Sequence, residues 1–148
     1  MTADPVSAPV EDATERDRRR DHFLATLGLR DAEVEGVELA MEIPTRPDLA
    51  NMRGALQGGL IATLIDVVAG RLAYRGLDRG LSVATTDLNI HYLAPVVEGP
   101  ARAQARVLRR GRRMIVLSVD VYDVATGQLA AASTITFAVV GMPKTDAK

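Results

Sequence analysis

The chain has 148 residues, 18 Lys plus Arg against 19 Asp plus Glu, and a formal net charge of -1. That is the length of one domain, and a near-neutral chain carries no global field to draw in nucleic acid or an anionic membrane. Apolar residues are 47% and charged residues 25%, enough for a modest core; aromatic residues are only 3%, against stacked bases or sugars, and zero Cys excludes a disulfide framework, a thiolate zinc site and a cysteine nucleophile.

Residues 1–20 mix Pro, Ala, small polar residues and charges without a period, which predicts a disordered tail. No apolar run of signal-peptide type stands there, and the longest apolar stretch, Leu60–Gly70, is broken by Asp66 and too short to span a bilayer, which needs about 20 residues. A soluble cytoplasmic protein is expected, with a domain over 21–142 and a short C-terminal tail at 143–148.

Asp21–Leu29 reads as a short helix, with Phe23 and Leu27 on one face and Gly28 near its end. Val37, Leu39, Met41 and Ile43 alternate with Glu38, Ala40 and Glu42, a period-two strand with one wet face that Pro44 and Pro47 stop. Pro47–Gln57 is a loop. Gly58 and Gly59 follow, then Leu60–Arg75, a run apolar on almost every side and too long for a typical strand, so a buried helix is expected.

Four strands come next. Ser82–Leu93 alternates Ala84, Thr86, Leu88, Ile90 and Tyr92 against Val83, Thr85, Asp87, Asn89 and His91. Ala101–Leu108 carries Arg102, Gln104 and Arg106 on one face; Met114–Tyr122 carries Ile115, Leu117, Val119 and Val121; and Gln128–Val140 carries Ile135, Phe137 and Val139. Short turns make antiparallel neighbours. The expected class is α+β, a five-stranded antiparallel sheet curled around one buried helix, with free edges that favour dimerisation.

Two features could carry chemistry. Gly58-Gly59 opens the buried helix, where unpaired N–H groups and a partial positive charge suit an anion or a carbonyl oxygen turning negative. Without a Cβ, glycine lets another molecule approach that backbone; the same pair could also simply turn a tight corner. Asp66 sits in the middle of the apolar helix with no basic residue within four positions. A carboxylate there is costly unless it faces a pocket or has a partner, so it is a general-base candidate or a group bonded to Thr63 or nearby backbone. The two are eight residues apart, about 12 Å along a helix, so they do not meet within one chain. Two-fold pairing could bring Asp66 of one protomer to Gly58 of the other.

In order and spacing, NMRGALQGGLIATLIDVVAG, TTDLNIHYLAP, RRGRRMIVLSVDVYD and LAAASTITFAV resemble the hotdog-fold acyl-CoA thioesterases, in the branch of the phenylacetate-degradation (PaaI-like) thioesterases. The resemblance runs over Val37–Val140. It implies a hotdog fold, a long antiparallel sheet wrapped around one central helix, working as a homodimer or homotetramer on an acyl-CoA substrate. It implies no metal and no cofactor beyond the coenzyme A of the substrate, and no nucleic acid or membrane partner. By that resemblance Gly58 N–H polarises the thioester carbonyl, Asn51 orients the loop, Asp66 of the other subunit activates water or attacks the thioester, and Thr85 assists Asp66. Gly59 lies against the substrate, and Arg110, Arg112 and Arg113 in the basic turn hold coenzyme A phosphates. The family's usual His is Gln57 here, and an amide cannot take a proton near neutrality. Gln57 keeps open a non-catalytic acyl-CoA-binding protein. A hotdog hydratase is disfavoured, because no His lies between residues 23 and 90.

Overall fold

A computed structural model describes residues 22–142, so the tails expected at 1–20 and 143–148 lie outside the described residues. The elements are α1 (Phe23–Thr26), β1 (Arg30–Ala32), β2 (Leu39–Ile43), α2 (Gly58–Tyr74), β3 (Leu81–Tyr92), β4 (Ala101–Arg110), β5 (Met114–Asp123) and β6 (Gln128–Gly141). The strands form one antiparallel sheet in the order β1-β2-β4-β5-β6-β3. It wraps α2, whose Ile61, Leu64, Ile65, Val68, Ala69, Leu72 and Ala73 are buried against Ile115, Leu117, Val119, Val121, Ile135 and Phe137. The α+β, sheet-around-helix architecture is the expected one.

Several local expectations change. The sheet has six strands rather than five, because Arg30–Ala32 adds an edge strand that pairs Arg30 with Glu42. Three residues are too few to show a period. The first helix is one turn, capped by His22, and Phe23 is exposed while Leu27 is buried. β4, β5 and β6 are neighbours joined by short turns as expected, but β3 is not beside β4. It crosses to the far edge and pairs only with β6.

β2 has no wet face: all five of its residues are buried. Glu42 is tolerated there because Arg30 and Arg102, its partners across the two flanking strands, clamp its carboxylate. The closest contacts are 2.8 Å from Arg30 and 2.6 Å from Arg102. A second buried carboxylate, Asp123, accepts four backbone N–H groups, from Val97, Glu98, Gly99 and Ala125. It ties the β3–β4 connection to the β5–β6 turn, and so fixes the chain that leaves β3.

Nor is α2 covered all round. Gly59 and Arg71 are exposed, and Thr63, Asp66, Val67 and Gly70 are half-buried. Asp66 on this stripe meets Thr85 of β3, while Arg71 pairs with Asp31 of β1 at the other edge of the sheet; the outer edge of β3 has no pairing strand among the described residues. Among the described residues no helix is long and apolar enough to cross a membrane.

Candidate active site

The loop before α2 is built by Asn51. Its side-chain oxygen accepts the N–H groups of Arg53 (2.9 Å) and Ala55 (3.2 Å), and its own N–H donates to Ala55 O. An Asn in this role turns the chain locally without a longer element. Ala50 and Leu56 then pair as a short bridge, and Gln57 N–H donates to Leu49 O. These bonds deliver the chain to α2 at a fixed angle.

Gln57 is the N-cap of α2. Its backbone oxygen accepts Leu60 and Ile61 N–H, while its exposed side chain makes no capping bond. Among the described residues, the N–H groups of Gly58 and Gly59, at the start of the helix, make no backbone hydrogen bond outside it. They are the donors a helix start leaves over. Asn51, Gly58 and Ile61 line a cleft of about 320 Å³ with Ala55, Leu56 and Tyr92.

Asp66 lies two turns further along, on the half-buried stripe. Thr85 Oγ1 donates to Asp66 Oδ1 at 2.7 Å. Thr63 does not partner Asp66; its hydroxyl donates back to Gly59 O at 3.0 Å. Simple alternation would put Thr85 on the outer face with Asp87 and Asn89. A β-bulge at Thr86 reverses this: Thr85 pairs with buried Phe137, and Leu88 with buried Ile135, so Thr85 shares the helix-facing side. A bulge inserts one unpaired residue and changes the face of everything beyond it. Thr85 therefore reaches Asp66, for a reason that the sequence period did not contain.

Tyr92 had no functional reading in the sequence. Its hydroxyl donates to Gly58 O at 2.7 Å, and its ring packs where a Cβ on Gly58 would stand 3.4 Å from Cε1. Burial pushes the Tyr92 phenol above its ordinary value. Its signal in the sequence is position alone: it ends a strand, just before Pro95 and the chain reversal.

The basic turn divides. Arg110 donates to Leu72 O (3.1 Å) and Ala73 O (2.8 Å), capping the C-terminal end of α2. Cations there satisfy orphan carbonyls and the helix dipole. Arg112 and Arg113 are exposed and make no side-chain hydrogen bond among the described residues. Met52, a neighbour of Asn51, is fully exposed, whereas Leu56 and Leu64 are core. No group of three or more His, Cys, Asp or Glu side chains among the described residues is placed to hold a metal ion.

The profile of the thioesterase superfamily matches residues 53–130. Acyl-coenzyme A thioesterase 13 of Homo sapiens is 35% identical over 91 residues, 61% of this chain and 64% of that protein. A Bacillus halodurans protein whose crystal structure was solved with CoA is 32% identical, with a TM-score of 0.73 over 86% of this chain and 82% of that one. A thioesterase from Haemophilus influenzae shares the fold at a TM-score of 0.76 and 19% identity, over 94% of this chain and 97% of that one.

Proposed function

The chain belongs to the thioesterase superfamily, and from that premise we propose that it hydrolyses acyl-CoA thioesters to a free acid and CoA. The observation that carries the reading is the hydrogen bond from Thr85 to Asp66, which gives a carboxylate in a largely apolar helix an oriented partner. A carboxylate that only filled space in that helix would not need a hydroxyl brought to it by a bulge.

In this reading the thioester carbonyl oxygen sits at Gly58 N–H, with Gly59 N–H beside it, at the positive end of α2. The developing oxyanion is stabilised there by donors already in place. Asp66 takes a proton from a water whose oxygen bonds to the carbonyl carbon; the C–S bond breaks, the proton passes on to the departing sulfur, and CoA leaves as the thiol with Asp66 again a carboxylate. Direct attack by Asp66, giving a mixed anhydride that water then opens, uses the same geometry. Asn51 holds the loop that aims Gly58, and Gln57 orients the thioester as a hydrogen-bond donor. No step requires a metal.

Gly58 and Asp66 stand about 12 Å apart along α2. Two copies joined along the free edge of β3 would bring Asp66 of one protomer to Gly58 of the other, and make two sites per homodimer, or four in a homotetramer. The exposed edge and the half-covered stripe of α2 support that arrangement. Arg112 and Arg113 are free to hold coenzyme A phosphates, whereas Arg110 is occupied with the helix.

Gln57 favours one competing reading, an acyl-CoA-binding protein without efficient turnover. Thiol release from aromatic, short-chain and long-chain acyl-CoAs separates the two. Hydrolysis of at least one class is expected. Binding of acyl-CoA with no thiol released from any of them would establish the binding protein instead.

A further inference from the structure

We propose that Tyr92 is a positioning residue for the thioester chemistry, holding the first peptides of α2 through its hydroxyl so that the Gly58 and Gly59 N–H groups meet the carbonyl oxygen. This rests on the thioesterase reading above.

The Gly58 carbonyl that accepts the Tyr92 hydroxyl belongs to the same peptide unit as Gly59 N–H. Donation to the oxygen of a peptide strengthens its N–H as a donor, because hydrogen bonds in a chain polarise one another. The next carbonyl, of Gly59, takes the Thr63 hydroxyl. Both glycine carbonyls therefore carry a side-chain donor in addition to their places in the helical ladder. Two consecutive glycines are the most freely rotating pair the backbone offers, and without restraint a helix start of this composition frays. A donor aimed by fewer degrees of freedom loses less of its worth when charge develops on the substrate.

Tyr92 is itself well fixed. It pairs with Ala131, and the next two N–H groups, of Leu93 and Ala94, both donate to Ala130 O, at 2.8 and 3.1 Å. Its ring lies along Gly58 and forms one wall of the cleft beside Asn51. A Cβ on Gly58 would stand in ordinary van der Waals contact with that ring, 3.4–3.6 Å away, so the ring lies directly against the first residue of α2.

The test compares wild type, Tyr92→Phe and Tyr92→Ala on the best acyl-CoA of the panel. It reads kcat and KM separately, together with amide hydrogen exchange over residues 57–62 and thermal unfolding. Phe keeps the ring against Gly58 and removes only the hydroxyl. The expected result for Tyr92→Phe is a kcat lower by about tenfold, below the hundredfold or more of deleting an oxyanion donor outright. KM should stay within about twofold, the midpoint of unfolding should fall by no more than about 5 °C, the worth of one exposed hydrogen bond, and amide exchange at the helix start should be faster. Tyr92→Ala should lose at least as much in kcat. An active wild type matched in kcat by Tyr92→Phe overturns the role of Tyr92 alone, as does a loss confined to KM. A wild type silent on every acyl-CoA overturns the thioesterase reading and this role with it.

Discussion

Thr85 and Tyr92 stand seven positions apart on β3, yet both reach α2, Thr85 at Asp66 and Tyr92 at Gly58. An odd separation on a regular strand puts two side chains on opposite faces. The unpaired Thr86 cancels that, so one strand serves both the carboxylate and the helix start.

Thr85→Val keeps the shape and removes the donor. A hydrogen bond to a charged group is worth about 1.5–3 kcal/mol, and the exposure of Thr85 sets it at the low end. The expected outcome is a kcat lower by roughly tenfold with stability lower by no more than about 1.5 kcal/mol, measured by steady-state thiol release beside a melting curve.

Gln57 makes no side-chain bond to the helix it caps. Gln57→Ala should therefore leave stability within about 0.5 kcal/mol, the usual range of a surface change. Its effect should fall on kcat/KM. A melting point that drops together with activity would show that Gln57 serves the fold instead.

Three of the four arginines of the basic turn, Arg110, Arg112 and Arg113, should part company. Arg110→Ala removes the cap on Leu72 and Ala73 and should cost about 1–2 kcal/mol of stability. Replacing Arg112 and Arg113 together by Ala should leave the melting point alone. It should raise KM for acyl-CoA severalfold, and added salt should shrink the difference, because exposed charges are screened. Melting curves and KM at two ionic strengths check both halves.

Glu42 makes the fold sensitive to acid. Burial alone would push its carboxyl up; the hydrogen bonds from Arg102 and Arg30 outweigh this and hold it below the usual Glu range. A depressed folded value contributes stability that is present above the unfolded value, about 4.3, and is lost as pH falls through the folded one. Wild type should lose stability as pH drops below about 5, and Glu42→Gln, destabilised at neutral pH, should lose less over the same range. Chemical denaturation at a series of pH values reads the two slopes.

The fold was legible where period and length agreed. Ile115, Leu117, Val119 and Val121 alternate and are buried, and the run after Gly58-Gly59 is the central helix. It was illegible where partners lay far off in sequence. Glu42 looks solvent-facing until Arg30 and Arg102 arrive from two other strands. The crossing of β3 to the far edge follows from its connection, which no local pattern encodes. Within the site, Asp66 stood out by being polar among apolar neighbours and Gly58 by opening the buried helix, whereas Asn51 and Thr85 came from the family resemblance. Tyr92 had neither mark: an aromatic residue at a strand end is unremarked until its hydroxyl is seen on a backbone oxygen. The three arginines were alike as sequence and differ only in what lies beneath them.

The most direct measurement is thiol release by Asp66→Asn against wild type on the best acyl-CoA, with binding of the same thioester and thermal unfolding measured in parallel. Asn keeps the size of the side chain and removes its charge. Turnover should fall by roughly a hundredfold or more, in the range of a lost general base. Binding and unfolding should stay near wild type. Equal turnover in the two proteins would contradict the placement of Asp66 at the chemistry.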